Sequence, residues 1–157
     1  VTGNGNYLRV NTNNASESTS FWQSTTPTST QFYVNNNNNV GNDANYYVAL
    51  LFASLSGISK VGSYSGTGSN IDVDCGFTAG ARFVLIKRTD SSGDWYVFDS
   101  TRGIVSGNDP YFLLNSGAAQ VTNTDYIDPL NAGFTVTSSA PAALNTSGGT
   151  YLFLAIA

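Results

Sequence analysis

The amino-acid sequence predicts an all-β protein, built as an antiparallel β-sandwich or jelly roll. Asn, Ser, Thr and Gly together make up roughly 45% of its 157 residues, and these residue types favour turns and loops over helices. Short apolar or alternating segments of strand length recur between turn residues, and almost none has a helical period. Many short strands separated by turns are typical of these two folds.

The first third of the chain contains four segments that we expect to be strands. They are Tyr7–Val10, Phe21–Trp22, Gln31–Val34 and Tyr46–Ala53. The last of them is apolar at nearly every position, which predicts a strand buried on both faces of a sheet. The five consecutive asparagines from Asn35 to Asn39 lie between two of these segments in a polar context, and we expect them to form a loop.

The remaining two thirds supply further strands with the same kind of pattern. We expect Ser59–Tyr64, Ile71–Cys75, Tyr111–Leu114, Phe134–Thr137 and Tyr151–Ile156 to be strands. In the second of these, strict alternation predicts that Ile71, Val73 and Cys75 lie on one face.

The best hairpin in the sequence lies between Arg82 and Ser100. Its strands are Phe83–Arg88 and Asp94–Asp99, joined by a connector in which Asp90 suits an Asx turn and Gly93 suits a positive φ. Alternation places Trp95 and Val97 on one face of the second strand and the other two aromatic residues on the opposite face. Because both faces are apolar, the hairpin is expected inside a sheet or at a subunit contact.

The two ends of the chain resemble each other at a shift of about 104 residues. Residues 3–11 (GNGNYLRVN) align with 107–115 (GNDPYFLLN), and the same shift places Tyr47 on Tyr151 and Ala53 on Ala157. Residues 55–157 would then be a nearly complete unit, and residues 1–54 the back half of a preceding one. Either residues upstream have been removed, or two back halves pack around one front half, and we expect a single fused sandwich.

Composition excludes several classes of function. The net charge of −4 disfavours a nucleic-acid-binding face. Without His and with a single Cys, the common zinc sites and His-based catalytic triads cannot be built. No apolar run approaches the roughly 20 residues that span a bilayer, so no membrane insertion is expected. Cys75 is expected to be a small buried apolar side chain, and no cofactor is expected.

The segments around the hairpin resemble a known family. Residues 82–90 (RFVLIKRTD) and 93–103 (GDWYVFDSTRG) resemble a β-rich domain of tailed-bacteriophage structural proteins. This domain is found especially in marine and cyanobacterial phages, often in proteins labelled tail fibre. The similarity continues through 113–115, 118–119, 133–134 and 147–151. It covers residues 58–157, with residues 1–54 matching the end of a preceding repeat.

This resemblance implies a structural protein of the virion and no enzymatic activity. The favoured role is a tail-fibre or receptor-binding domain that presents polar loops to the host surface. Its expected partners are other virion proteins and a host surface polysaccharide. A homo-oligomer, a trimer, is expected because fibres are commonly trimeric. One alternative is a capsid decoration (cement) protein, and another is a self-assembling extracellular filament subunit whose incomplete sandwich is completed by its neighbour.

Individual candidate residues are few. Charged residues at the hairpin turn are expected to pair across the strands, and Trp95 is expected to anchor the core. This hairpin motif comprises Lys87, Arg88, Asp90, Gly93, Asp94 and Trp95. Trp22, in a Ser/Thr-rich stretch, is the candidate for an exposed ligand contact. The pairs Asp72/Asp74 and Asp125/Asp128 supply too few ligands for calcium and show no catalytic pairing, so no metal or catalytic residue is assigned.

Overall fold

The computed structural model describes residues 3–157 as antiparallel β-structure with one short helix. The all-β prediction is confirmed. The strands are β1 (Asn6–Tyr7), β2 (Glu17–Ser18), β3 (Ser59–Ser65), β4 (Ile71–Asp74), β5 (Phe83–Arg88), β6 (Trp95–Asp99), β7 (Tyr111–Leu113), β8 (Ile127–Leu130), β9 (Gly133–Val136) and β10 (Thr150–Ile156). The helix is α1 (Ala142–Asn145).

The largest sheet has five strands in the order β3-β10-β5-β6-β7. The predicted hairpin forms its centre, with Lys87 opposite Trp95 and Phe83 opposite Asp99. Its two strands are inner strands, as their two apolar faces predict. The C-terminal strand β10 is also an inner strand, paired with β3 on one side and β5 on the other.

A second sheet has three strands in the order β4-β9-β8. The predicted alternation in β4 is confirmed, because Val73 and the following Cys75 are buried while Asp72 and Asp74 are exposed. Strand β8 was not predicted from the sequence, since its Pro129 argues against a strand. Proline is tolerated there because β8 lies at the edge of the sheet.

Side chains of both sheets meet in one hydrophobic core. Phe134 of the three-stranded sheet packs edge-on against Phe153 of β10, with 5.4 Å between the ring centroids. Within the five-stranded sheet, Tyr96 and Phe98 face this core while Trp95 and Val97 lie on the opposite face, as alternation predicts. The face of the five-stranded sheet opposite this core carries Lys87 and Trp95, which bond to residues of the N-terminal third.

The N-terminal third differs from its prediction. Only Asn6–Tyr7 and Glu17–Ser18 pair there, as a two-stranded sheet. The expected strands at Phe21–Trp22, Gln31–Val34 and Tyr46–Ala53 are wrong, since these residues adopt turns or irregular structure. The asparagine run lies outside strands, as expected. Apolar residues without partner strands cannot form a ladder, whatever their β-propensity.

Hydrogen bonds in residues 37–47 have counterparts 104 positions later. In the first segment they run from Val40 N and Gly41 N to Asn37 O, from Asn45 N to Asn42 O, from Asn42 N to Tyr47 Oη, and from Tyr47 Oη to Asn38 O. In the second they run from Leu144 N and Asn145 N to Pro141 O, from Gly149 N to Thr146 O, from Thr146 N to Tyr151 Oη, and from Tyr151 Oη to Ala142 O. Both tyrosines therefore close the same kind of turn.

Residues nearer the N-terminus show the same correspondence. Tyr7 pairs with Glu17, and Tyr111 forms an isolated bridge with Val121. The turn in which Thr12 N donates to Arg9 O has its counterpart in Ser116 N and Leu113 O. Each of these tyrosines also packs on an aromatic ring, with centroids 4.8 Å apart for Tyr7 and Phe21 and 5.6 Å apart for Tyr111 and Tyr126, although Tyr126 lies 105 and not 104 positions after Phe21.

Candidate assembly surface

Residues 46–53, called here the apolar segment, are the most exposed hydrophobic stretch of the described chain. Tyr46 is fully exposed, and Val48, Leu50, Leu51 and Phe52 are 64–90% exposed. Isolated exposed apolar residues are ordinary, but a contiguous run of this size is typical of an interaction surface. We therefore treat this segment as the candidate functional surface of the molecule.

The apolar segment makes no backbone–backbone hydrogen bond with any other described residue. Residue 54, which follows the segment, lies beside the edge of β3, and Leu55 and Ser59 form an isolated bridge there. The hydroxyl of Ser54 accepts from Val61 N and donates to Val61 O, and the hydroxyl of Ser59 donates to Ala53 O. These side-chain bonds occupy backbone groups that a continuing strand would need.

Burial of this segment was expected, and the structure contradicts that expectation. A signal in the sequence could have revealed the exposure. The apolar segment aligns with β10, whose neighbours β3 and β5 lie in residues 59–88, and a position 104 earlier than those strands precedes residue 1. The strands that would cover the segment therefore have no counterpart within residues 1–54.

The hairpin motif lies where β5 ends and β6 begins. Arg88 donates from Nε and Nη2 to the two carboxylate oxygens of Asp90, at 3.1 and 3.0 Å. This contact holds the pKa of Asp90 well below its usual range. Asp94 accepts from the side-chain amide of Asn115 at 2.8 Å. The ion pair joins residues two positions apart in the turn, so the predicted pairing across the strands is wrong. Asp90 also accepts from Thr150 N at 2.9 Å, so each of the two carboxylates bonds to a residue outside the turn.

Lys87 and Trp95 bind residues 9–16 against the outer face of the sheet. The fully buried Lys87 ammonium donates to Asn14 O at 2.7 Å and to Arg88 O at 2.6 Å, and burial lowers its pKa. The Trp95 indole donates to Arg9 O at 2.9 Å. Both bonds reach backbone carbonyls, so they recognise the shape of the N-terminal turn and not its side chains.

Gly93 differs from its prediction, because its φ is not positive. Its N–H donates to Asn13 O at 2.9 Å. A Cβ at this position would lie 3.1 Å from Arg88 Cβ and 3.4 Å from Ala143 Cβ. Close packing against Arg88 of β5 and Ala143 of α1 therefore favours a glycine at this position.

Trp22, the candidate ligand contact, is half-buried. Its indole Nε1 donates to Asn6 O at 2.8 Å, which ties the ring to the two-stranded sheet. The indole N–H is thus occupied within the chain. Trp95, the tryptophan of the hairpin motif, is buried.

The acidic pairs lie in two different environments. Asp72 accepts from Thr135 Oγ1 at 2.6 Å and Asp74 from Gly76 N at 2.7 Å, both in exposed positions. The Oδ1 atoms of Asp125 and Asp128 are buried without a hydrogen-bond partner. Among residues 3–157, no group of three or more His, Cys, Asp or Glu side chains is arranged to hold a metal ion.

Sequence reasoning did not single out Asp109, which is fully buried. Its carboxylate accepts from the backbone N–H groups of Val105, Tyr126 and Ile127, each at 3.1 Å. Burial raises the pKa of this carboxyl to about 6, and the three backbone donors oppose that rise. The residue thus links the loop before β7 to the start of β8, a structural task.

A shallow cavity of about 480 Å³ lies beside the start of β3. It is lined by Ser54, Ser56, Ser59, Lys60, Asp74, Cys75 and Gly76. Cys75 is buried, as expected, and burial raises the pKa of its thiol to about 11. A thiol with so high a pKa is protonated at neutral pH and is a poor nucleophile.

The whole chain, residues 1–157, matches the model of one protein family, described as a domain of unknown function (DUF7483). The chain belongs to this family. No curated protein matches the chain, and no solved structure does. Within residues 3–157, no helix is long and apolar enough to cross a membrane. The description of the DUF7483 family names no activity.

Proposed function

We propose that this member of the DUF7483 family is a non-enzymatic structural protein of a bacteriophage virion. The observation that carries the proposal is the exposed apolar segment, because a contiguous surface of this kind is characteristic of a subunit that packs against a neighbour. The resemblance of residues 82–103 to phage structural domains gives the assembly its identity. The favoured place is a tail fibre or receptor-binding protein.

We propose that the two larger sheets form a sandwich. Their common core, with Phe134 against Phe153, supports this arrangement, as do antiparallel strands in every sheet. Packing of both faces gives a rigid scaffold, which a passive adhesion domain needs in order to hold its loops in place.

We further propose that the chain consists of one and a half units of about 104 residues. The equivalent turns closed by Tyr47 and Tyr151, and the equivalent bridges at Tyr7 and Tyr111, support it. Bonds from the hairpin to residues 9–16 support a fused molecule in which residues 1–54 pack on residues 55–157. Limited proteolysis that degrades residues 1–54 and releases a stable fragment starting near Leu55 would contradict the fused molecule.

Polar loops at the molecular surface suit contact with a host polysaccharide. Residues 116–123 are exposed and contain Ser, Gly, Gln, Thr and Asn. Each hydrogen bond from such a loop to a sugar is weak, but several copies held in one oligomer bind by avidity. We propose a symmetric trimer, and sedimentation of the folded protein as a monomer at micromolar concentration would contradict it.

Labelling of the phage particle tests the proposed function. An antibody raised against the purified chain is expected to mark the tail fibres in electron micrographs of the phage that encodes it. Quantitative mass spectrometry is expected to give tens of copies per particle. Hundreds of copies and label over the whole capsid would favour the decoration protein instead. Absence of the chain from purified particles would overturn the virion role.

The apolar segment also favours a second candidate, the self-assembling filament subunit. A strand without partners can add to the sheet of a neighbouring chain and so propagate an assembly. In this case the purified protein would form filaments without any other virion component. Electron microscopy of the concentrated protein, compared with a Leu50→Asp variant, distinguishes a filament from a closed trimer.

A further inference from the structure

The apolar segment and β10 have the same residue pattern at a shift of 104. Tyr47, Leu50 and Ala53 stand where β10 and the following residue have Tyr151, Leu154 and Ala157. At two of the intervening positions the residue sizes are exchanged. Ala49 corresponds to the larger Phe153, and Leu51 corresponds to the smaller Ala155. The side-chain volume available to one face is therefore similar in the two stretches.

The chain enters both stretches through the same turn. Tyr47 Oη donates to Asn38 O at 3.0 Å and accepts from Asn42 N at 3.2 Å. Tyr151 Oη makes the equivalent bonds to Ala142 O and from Thr146 N, each at 2.8 Å. Tyr47, the second tyrosine of the apolar segment, thus makes the same bonds as Tyr151, although residues 46–53 have no partner strand within residues 3–157.

Partner strands account for the difference in burial. Every residue of β10 is paired with β3, and six of its residues are also paired with β5. Tyr151, Phe153 and Ala155 face the core with at most 2% exposure. A strand with apolar residues on both faces is stable inside a sheet, where it has a strand on either side and its two faces are covered.

Residues 3–157 offer no free position of that kind for the apolar segment. The chain's own β10 fills the place between β3 and β5. The outer edge of β3 is blocked at Val61 by the Ser54 hydroxyl, which bonds to both the N–H and the C=O. The segment therefore has to find its partners outside the described residues.

We infer that the apolar segment is the inner strand of a second unit of this fold, which supplies the strands equivalent to β3–β6 and lacks a last strand of its own. The segment lies between the equivalents of β3 and β5, in the register that β10 has in the first unit. This inference rests on the proposed repeat and is independent of the virion role. A failure of particle labelling would leave it intact.

An extended chain tests the inference directly. In it, a second copy of residues 55–104 is fused ahead of Val1, so that Ile104 is followed by Val, as it is in the natural sequence. Hydrogen–deuterium exchange followed by mass spectrometry is expected to show the amides of residues 46–53 slowed by about 100-fold or more relative to the 157-residue chain. Exchange that stays as fast as in the shorter chain would overturn the inference.

A matched pair of variants distinguishes insertion from mere crowding by the added residues. Leu50→Asp is expected to restore fast exchange over residues 46–53 in the extended chain and to lower its melting temperature. In the 157-residue chain, the same change is expected to leave the melting temperature within about 2 °C, since Leu50 is 78% exposed there. Equal melting shifts in both chains would contradict the proposed position.

Other occupants would give different results. Slow, concentration-dependent exchange over residues 46–53 in the 157-residue chain alone would mean that two apolar segments cover one another, which overturns the inference. An extended chain whose added residues stay unfolded while residues 55–157 keep their near-ultraviolet circular dichroism would overturn it as well. Protection that appears only in the extended monomer supports it.

Discussion

The apolar segment and β10 share an apolar pattern but lie in two different settings. Both follow a turn closed by a tyrosine hydroxyl, and both carry apolar residues on two faces. Leu154 is 8% exposed, whereas its counterpart Leu50 is 78% exposed. Only β10 has strands on both sides. The difference teaches that local sequence makes a segment competent to be a strand, while neighbouring strands decide whether it becomes one.

Turns behave differently from strands in the same comparison. Short-range bonds, such as those at Thr12 and Ser116, occur in both halves because they need no partner from elsewhere. The strand bridge at Tyr7 also persists, since its partner Glu17 is only ten residues away. Long-range pairing is what the first half lacks.

Truncating the matched leucines should give the largest contrast. Leu154→Ala is expected to lower the free energy of unfolding by about 2–5 kcal/mol, because it removes a buried side chain from an inner strand. Leu50→Ala is expected to change it by less than about 0.5 kcal/mol. Chemical denaturation of both variants measures the difference. A loss of more than 1 kcal/mol for Leu50→Ala would show that the apolar segment is already covered.

The matched tyrosines should give a smaller contrast. Tyr151→Phe leaves Thr146 N and Ala142 O without their partner, at a cost of about 1–3 kcal/mol if no water replaces it. Tyr47→Phe is expected to cost less than about 0.5 kcal/mol, since water reaches the equivalent groups. Thermal unfolding of the two variants checks this, and equal costs would mean that both turns are equally buried.

The pH dependence should differ least, and it comes from one half alone. Gly5 stands at the position equivalent to Asp109, whose folded pKa of about 6 lies above its ordinary value of 3.8. A carboxyl with a raised folded pKa stabilises the fold below the unfolded pKa, so stability is expected to fall as pH rises from about 4 to 6.

Asp109→Asn removes the titrating group and keeps its size. The decline in melting temperature between pH 4 and 6 is expected to be shallower in this variant than in the natural chain. The contribution of Asp90 runs in the opposite direction and lies below pH 4, because its folded pKa is lowered. Parallel melting curves for the two proteins across pH 4–6 would contradict the assignment to Asp109.

The strands that could be predicted are those whose partners lie in the chain. The hairpin of β5 and β6 was predicted because its strands are close in sequence and apolar on both faces. Strand β8 was missed because Pro129 is tolerated only at an edge, and edge position is a property of the sheet. Helix α1 was missed because four residues are too few to show a period.

Tyr46–Ala53 was predicted as a strand buried on both faces, and the structure contradicts both the strand and the burial. Tyr46–Ala53 was recognised as strand-like, but its exposure depends on strands that residues 1–54 do not contain. Lys87 was recognised as part of the hairpin motif, whereas its bond to Asn14 O joins residues 73 positions apart. No sequence pattern encodes that contact, because the acceptor is a backbone carbonyl.

By itself, the sequence determined the all-β class, the hairpin of β5 and β6 and the alternation in β4. These depend on side-chain size, on the alternation of apolar residues and on contacts between near neighbours. Tertiary structure alone decided which apolar strand is buried, which edge is free and where Lys87 finds its acceptors. Backbone groups of a strand are satisfied by other strands, and residues 46–53 have no partner strand within residues 3–157, so they stay exposed.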